Sequence, residues 1–385
     1  MTESDGSSPL NAWRRALELT ARINQDESRT FPQVIEELAD RSPDAVALID
    51  ERGSMTFRSL AERMNQYARW TLQQKIGADE VVAMVMPNSA DYFALWLGIT
   101  KVGATAALIN TNLTGIPLAH AIRIATPRHL IVHAQFCQAV IDIRPELPDE
   151  TTIWSDGSRP IGFRSFAAAY DTLSKAALRA DEYSKPSLND RALLIYTSGT
   201  TGLPKAANVS HRRVMQWTHW FAGLMGIRPT DRMYNCLPMY HSIGGIVAVG
   251  APLVGGASVV IRPRFSAQNF WEEITTWRCT IFQYIGELCR YLLSAPDHPL
   301  ASAHTLRLCC GNGLRPDVWT PFKERFHIPR LLEFYAATEG TFSLYNCEEE
   351  PGSIGRPPPF LNHRSGIALV KFDIDAGEPM RDSNG

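Results

Sequence analysis

The fold is decided by a ten-residue stretch that reads Tyr196-Thr-Ser-Gly-Thr-Thr-Gly-Leu-Pro-Lys205. It follows the apolar run Leu193–Tyr196, which predicts a buried strand. Hydroxyl side chains, two glycines and a lysine in one loop can turn several donors and a positive charge toward one anion. The stretch is not a Walker loop, because Lys205 lies three residues after Gly202 and Ala206 follows it. It therefore predicts a loop that binds polyphosphate, with an ordinary polar turn as the alternative.

A second block, Phe334–Gly340, reads Phe-Tyr-Ala-Ala-Thr-Glu-Gly. Tyr335 offers a ring that can stack on a purine, and Thr338 offers a hydroxyl group to a phosphate. Glu339 offers the hard carboxylate oxygen that Mg²⁺ prefers when it also binds substrate phosphates. Alone, Tyr335 and Glu339 would read as a core aromatic and a surface charge. Combined with the first loop, the block predicts a magnesium–nucleotide site.

Glycines also follow the predicted strand Leu306–Cys310. The segment Gly311-Asn312-Gly313 lets the backbone lie flat against a planar ring, and ligands of open α/β sheets gather at the carboxyl ends of strands. Gly311 and Asn312 are therefore candidates for contact with a nucleotide base. The alternative is a simple turn.

The third candidate segment is Leu237–Ser242, which contains His241. An imidazole here can orient a reacting carboxylate, although a single histidine beside an apolar run is more often structural. Gly244 and Gly245 follow it and leave space either for an alkyl chain or for tight helix packing.

Tyr196–Lys205 and the Tyr335-Ala-Ala-Thr338-Glu339 block together resemble the signatures of the adenylate-forming (AMP-binding) superfamily. Members activate a carboxylate with ATP to give an acyl-adenylate and pyrophosphate. The resemblance implies that Lys205, His241 and Thr338 are catalytic, that Glu339 binds metal, and that His241, Gly244 and Gly245 border an acyl pocket. It implies nucleotide binding by Tyr196, Thr197, Ser198, Gly199, Thr200, Thr201, Gly202, Lys205, Gly311, Asn312, Tyr335 and Thr338.

Longer strings resemble one branch, the fatty-acid transport proteins and very-long-chain acyl-CoA synthetases. These strings are Val102–Leu113, Tyr284–Tyr291 and Gly311–Asp317. The resemblance implies ATP, Mg²⁺ and coenzyme A as cofactor and co-substrates, and a long or very long fatty acid as the substrate. Three alternatives stay open: an uptake protein that acts mainly by binding, a ligase for another bulky carboxylate such as a bile acid, and an amino-acid adenylation module.

The fold class expected is α/β, because apolar strands alternate with helical segments from Val81 onward. The resemblance implies two helix-covered, mainly parallel sheets. We expect a lead over 1–30, α/β subdomains over 31–190 and 191–355, and a β subdomain beginning at 356; 151–190 reads as a surface excursion. The chain stops at a turn signal, Asp382–Gly385. We therefore expect the β subdomain to be incomplete and the C-terminal lid domain of the family to be absent. Nucleotide and acyl binding would then be weakened and thioester formation very low.

The composition excludes some classes of partner. The 385 residues are 45% hydrophobic and 20% charged with a net charge of −2, and without a dense basic block we expect no nucleic-acid partner. Seven cysteines without a Cys-x-x-Cys pair, and a polar N-terminus, favour a cytoplasmic protein. The uncharged stretch Ser242–Ile261 contains four glycines between Gly244 and Gly255 and reads as a buried helix, a turn and a strand. Peripheral contact with the inner face of a membrane stays open, as does the oligomeric state.

Overall fold

The computed structural model describes residues 8–197, 202–340, 342–361, 363 and 370–382. Helices alternate with strands along most of this length, as the sequence predicts. The helices are α1 (Pro9–Ala21), α2 (Phe31–Arg41), α3 (Phe57–Gln73), α4 (Ala90–Lys101), α5 (Gly115–Ala125), α6 (Cys137–Asp142), α7 (Ala167–Tyr170), α8 (His211–Met225), a π-helix (Ile243–Gly250), α9 (Ala251–Val254), α10 (Phe270–Thr276), α11 (Gly286–Ser294) and α12 (Pro316–Arg325). Short 3₁₀ turns occupy Ile23–Gln25, Ala134–Phe136, Arg144–Glu146, Pro299–Ser302 and Pro359–Leu361.

The strands form two large sheets and one hairpin. They are β1 (Val46–Asp50), β2 (Gly53–Thr56), β3 (Val81–Val85), β4 (Thr105–Leu108), β5 (His129–His133), β6 (Thr152–Asp156), β7 (Arg164–Ser165), β8 (Arg191–Thr197), β9 (Lys205–Ser210), β10 (Arg232–Asn235), β11 (Ser258–Ile261), β12 (Ile281–Ile285), β13 (Leu308–Asn312), β14 (Leu331–Ala336), β15 (Ser343–Asn346), β16 (Phe372–Asp373) and β17 (Glu378–Pro379).

One sheet has seven strands in the order β7-β6-β5-β3-β4-β8-β9, and the other has eight in the order β15-β14-β13-β12-β10-β11-β1-β2. Interior pairs are parallel, and antiparallel pairs occur only at edges, namely β8–β9, β14–β15 and β1–β2. Every residue of a central strand such as β3 is buried, because helices cover both faces of the sheet. The expected pair of helix-covered, mainly parallel sheets is confirmed.

The hydrophobic core lies in three layers of side chains. The largest cluster joins Met84 and Ile195 of the seven-stranded sheet to Leu48 and Met233 of the eight-stranded sheet through α1–α4 and α8. The other two clusters cover the outer faces, one with α10–α12 and one with α5 and α6. The molecule is therefore a stack of helix, sheet, helix, sheet and helix.

The two sheets exchange strands across the expected domain boundary at residue 190. Strands β1 and β2 precede that boundary but belong to the eight-stranded sheet, and β8 and β9 follow it but belong to the seven-stranded sheet. The division into 31–190 and 191–355 stays a prediction about domains and does not coincide with the division into sheets.

Residues 151–190 are only partly the surface excursion that the sequence suggests. Strand β6 extends the seven-stranded sheet beside β5, and the buried Trp154 packs edge-on against Trp70. The expectation was wrong for β6, because one Ile-Trp pair between polar residues gives a weak strand signal. The segment 171–177 does run over the surface, where the side chains of Gln66 and Arg69 bind its carbonyl groups.

The stretch Ser242–Ile261 is buried within the protein, as expected. It forms the π-helix, α9 and β11, and all but Ser242, Ile243 and the segment Val254–Gly256 is buried. Among the described residues, no helix combines the length and apolarity that crossing a bilayer requires. All seven cysteines are buried with free thiols. Residues 370–382 contain the exposed β16–β17 hairpin.

Candidate active site

The two ends of the predicted phosphate-binding stretch lie on the antiparallel strands β8 and β9, which we call the β8–β9 hairpin. Thr197, the last residue of β8, pairs with Lys205, the first residue of β9. Lys205 is exposed, and Gly202 has a φ of +88°, a conformation that side chains disfavour. Ser198, Gly199, Thr200 and Thr201 lie outside the described residues. The hairpin thus holds the two ends of the loop in a fixed register and leaves the Lys205 ammonium group accessible.

Helix α8 begins directly after this hairpin. The side chain of Ser210 caps it by accepting a hydrogen bond from the backbone N–H of Arg213 at 3.3 Å, and Gly226 ends it in the left-handed conformation. Trp217 and Phe221 lie one turn apart on this helix and therefore share a face. That face forms one wall of the cavity described next.

A cavity of about 270 Å³ opens at the carboxyl end of β8, and we call it the central cavity. Three of the sequence-predicted segments meet there, because Thr197, His241 and Thr338 all line it. Its remaining lining is largely apolar and comes from α8, the π-helix, β14 and β15: Trp217, Phe221, Ile243, Val247, Phe334 and Tyr345. A polar end thus faces a mainly aromatic interior, which is the usual character of a site for a hydrophobic ligand.

The polar end of the central cavity contains a contact that the sequence did not predict. The hydroxyl groups of Ser242 and Thr338 are 3.1 Å apart, which joins the His241 segment to the Thr338-Glu339 turn. Ser242 follows His241 directly, so its position beside a candidate catalytic residue was the available signal. The sequence analysis did not identify the aromatic wall either, although the four-residue spacing of Trp217 and Phe221 is typical of one face of a helix.

The His241 ring is open to solvent at the central cavity and lies edge-on to the Tyr240 ring, with 4.7 Å between centroids. Protein atoms packed around it lower the pKa of His241 by desolvation, so the neutral imidazole is favoured near pH 7. Asn88 holds the preceding segment, because its side chain donates to the Leu237 carbonyl at 2.9 Å and accepts from the Met239 N–H at 2.8 Å.

Gly244 and Gly245 do not line the central cavity; they are closely packed. A Cβ atom on Gly244 would lie 2.1 Å from the carbonyl oxygen of Pro238, and one on Gly245 would lie 2.5 Å from that of Met239. On the side of each glycine where a Cβ atom would lie, no room for an alkyl chain remains. They permit the tight helix packing that the sequence left open as the alternative.

The segment Gly311-Asn312 lies at the carboxyl edge of β13, beside β14. Gly311 is required by packing, since a Cβ atom there would lie 2.3 Å from the carbonyl oxygen of Tyr284. The Oδ1 atom of Asn312 is buried and has no hydrogen-bond partner among the described atoms. An unpaired buried acceptor is costly, so it is suited to receive an N–H group of a ligand. Tyr335 emerges near the same edge with 45% of its surface exposed, and its ring lies beside that of Phe342, with 6.0 Å between centroids.

Glu333 was not predicted from the sequence, yet it fixes this edge. Its carboxylate accepts hydrogen bonds from the Tyr284 hydroxyl at 2.6 Å and from the Leu314 backbone N–H at 3.0 Å. Burial raises its pKa to about 7. No composition signal marks it, because an acidic residue in a strand usually reads as a surface charge.

Tyr196 has a structural role in addition to its place in the cavity lining. Its ring is buried, and its hydroxyl group donates to the Ala121 carbonyl on α5 at 2.8 Å. Glu339 is exposed on the turn after β14. Among the described residues there is no cluster of three metal-binding side chains. A single carboxylate suits Mg²⁺ that is held chiefly by substrate phosphates.

Comparison with known proteins identifies the family of this chain. Residues 35–382 match the family described as AMP-binding enzyme. The chain belongs to this family. It is 36% identical over 376 residues to long-chain fatty acid transport protein 1 of Mus musculus, covering 95% of this chain and 58% of that protein. It is 34% identical to the medium/long-chain-fatty-acid–CoA ligase FadD6 of Mycobacterium tuberculosis, covering 95% of this chain and 59% of that protein.

Solved structures agree on the fold. An anthranilate CoA ligase, AuaEII, in complex with anthranoyl-AMP is 26% identical with a TM-score of 0.81, and the match covers 92% of this chain and 68% of AuaEII. ATP-bound MatB from Rhodopseudomonas palustris has a TM-score of 0.74 at 21% identity, covering 91% of this chain and 68% of MatB. The chain thus spans under three fifths of the length of the two curated relatives described above.

Proposed function

We propose that this chain is the nucleotide- and acyl-binding part of an ATP-dependent ligase that activates a long or very long fatty acid. The reaction is formation of an acyl-adenylate, followed by transfer of the acyl group to coenzyme A. The main support is the central cavity, where Thr197 at the end of β8, His241 and Thr338 line one space with an apolar interior. The relatives named as fatty-acid transporters and fatty-acid–CoA ligases support the choice of acid.

In the proposed first step the carboxylate of the fatty acid attacks the α-phosphorus of ATP, and pyrophosphate leaves. Lys205, exposed at the start of β9, stabilises charge on the departing pyrophosphate. Thr338 and Ser242 offer hydroxyl groups to the α-phosphate, and the neutral His241 orients the carboxylate. When bound, Mg²⁺ would neutralise phosphate charge, with Glu339 as its protein ligand. Positioning and electrostatics therefore supply most of the rate.

The base of the nucleotide is proposed to lie at the carboxyl edge of β13 and β14. Tyr335 stacks on the purine, and the unpaired Oδ1 of Asn312 accepts from an N–H group. Asn312→Ala is expected to weaken nucleotide binding by about tenfold, the size of one hydrogen bond from a buried acceptor.

The direct test is fatty-acid-dependent exchange of pyrophosphate into ATP by the product of the whole reading frame that contains this chain. We expect exchange with acids between medium and very long chain lengths, loss of exchange in Glu339→Ala, and none with amino acids. No exchange across that series of acids would contradict the proposal, and exchange with an amino acid would favour an adenylation module.

A second function, fatty-acid uptake by binding, is suggested by the name of the fatty acid transport relatives. It differs from the first in not needing the magnesium ligand. Cells that express Glu339→Ala and keep full fatty-acid uptake would support this second function over the ligase.

A further inference from the structure

Two neighbouring arginines on the first turn of α8 point to different parts of the molecule. Arg212 donates to Asn189 at 3.1 Å and also contacts Asn24 and Glu27 near the N-terminus. Arg213 instead donates to the backbone carbonyl of Gly340, directly after Glu339. Of this pair, Arg213 alone reaches the turn that carries the proposed magnesium ligand.

The surroundings of Arg213 fix its guanidinium group. The group lies over the indole ring of Trp217, with 4.8 Å from its central carbon to the ring centroid. Such stacking on an aromatic face restrains a planar guanidinium group. The charge of Glu339 acts on Arg213 and opposes the lowering of the Arg213 pKa by burial, so the two side chains are electrostatic neighbours. An arginine remains charged in a protein under these conditions.

Among the described residues, one backbone hydrogen bond closes the turn 337–340, from the Gly340 N–H to the Ala337 carbonyl at 3.0 Å. A groove of about 360 Å³ lies between the first two turns of α8 and this turn; Arg212 and Arg213 both line it, and Arg213 crosses it to Gly340. Thr338 is joined to Ser242 on one side of the turn, and Gly340 is joined to Arg213 on the other.

We infer that Arg213 is a positioning residue that anchors the turn 337–340 to α8 and thereby orients Glu339 toward the magnesium–phosphate unit. This assignment rests on the proposed function, since it needs a magnesium–nucleotide at this turn. It adds a residue outside both predicted sequence blocks. It also connects α8, which carries the aromatic wall of the central cavity, to the turn that carries the proposed metal ligand.

The test measures ATP affinity of the 385-residue protein by calorimetry, once with excess Mg²⁺ and once with EDTA. The variant Arg213→Met keeps an apolar stem over Trp217 and removes the donors and the charge. We expect it to reduce the gain in ATP affinity that Mg²⁺ provides by about 10- to 100-fold, the size of a hydrogen bond to a charged group. Arg213→Lys, which retains a charged donor, should recover part of the gain.

Arg212→Met is the matched control, and its magnesium-dependent gain should stay within about twofold of the wild-type value. Equal weakening with and without Mg²⁺ in Arg213→Met would overturn the assignment, because it would indicate a general effect on folding. Unchanged affinities in Arg213→Met would overturn it too. If the wild-type protein binds no ATP under either condition, the proposed function fails together with this assignment.

Discussion

The Glu333 side chain is a buried acid behind the proposed base-binding edge. It is 3% exposed, and its hydrogen-bond partners are Tyr284 and the backbone of the loop after β13. The titratable groups that face it are the Tyr284 hydroxyl and the thiols of Cys289 and Cys310, which are themselves buried. Desolvation therefore dominates and raises the pKa of Glu333 to about 7.

This raised pKa predicts how stability changes with pH. Below pH 4.5 the Glu333 side chain is protonated in both folded and unfolded chains. Between pH 4.5 and about 7 the unfolded chain gives up this proton first, so the free energy of unfolding falls with rising pH. The loss attributable to Glu333 is about 3 kcal/mol and levels off above pH 7.

Urea denaturation at pH 5 and pH 8 measures this contribution. Relative to wild type, Glu333→Gln should gain about 2.5 kcal/mol of stability between the two pH values, because glutamine has no proton to lose and pH 5 to pH 8 covers most of the titration. The control Glu324→Gln, at an exposed position on α12, should follow wild type. The prediction would be contradicted if the unfolding free energies of wild type and Glu333→Gln differed by the same amount at both pH values.

At the scale of elements, the site depends on how closely the π-helix packs against the loop that precedes it. This helix supplies Ile243 and Val247 to the central cavity while its glycines contact the loop 238–239. Asn235 strengthens the contact, since its side chain donates to the Gly244 carbonyl at 2.9 Å and accepts from the Leu237 N–H at 3.0 Å. The glycines and Asn235 thus set where His241 lies.

Adding one methyl group at this contact tests its tightness. Gly244→Ala should lower the free energy of unfolding by about 1–3 kcal/mol, because the new Cβ atom would overlap the Pro238 carbonyl and force the loop away. Chemical denaturation of the variant measures the change. Gly77→Ala is the matched control, with the nearest atom 3.7 Å from its Cβ position, and should be close to neutral. Equal stability of the two variants would contradict the close packing.

At the scale of the whole molecule, the N-terminal helix α1 supports the central cavity from behind. Trp13 lies edge-on to Trp220 on α8 and to Tyr345 on β15, with ring centroids 5.9 Å and 5.6 Å apart. Tyr345 lines the cavity. The largest core cluster therefore includes Ala12, Trp13, Ala16 and Ile23, which lie in the stretch predicted as a lead.

Removing the Trp13 ring should affect both stability and ligand binding. Trp13→Ala is expected to cost about 3–5 kcal/mol of unfolding free energy and to weaken fatty-acid binding, because Tyr345 loses its support. Thermal denaturation and acid titration of the purified protein measure the two effects. Leu19→Ala, at a 37% exposed position on the same helix, should change both much less. Normal stability in Trp13→Ala would contradict this role.

Much of this architecture could be predicted from local sequence patterns. Apolar runs located β8 and β13. The loop Tyr196–Lys205 and the Thr338-Glu339 block indicated two of the segments that meet at the central cavity. Strand order could not be predicted this way, because nothing in the pattern of β1 shows that it pairs with β11, more than two hundred residues away. The role of Gly244 could not be predicted either, because a glycine permits the close approach of a ligand and of a protein carbonyl group equally well.

We propose that the β8–β9 hairpin, His241 and Thr338 form one acyl-adenylate site. The most direct measurement is binding of a fatty acyl sulfamoyl-adenosine, a stable mimic of that intermediate, to the 385-residue protein, followed by a crystal structure of the complex. We predict binding tighter than that of either ATP or the free acid. The acyl group should lie in the central cavity and the sulfamoyl group beside Thr338. Absence of binding, or an acyl group located outside the central cavity, would contradict the account.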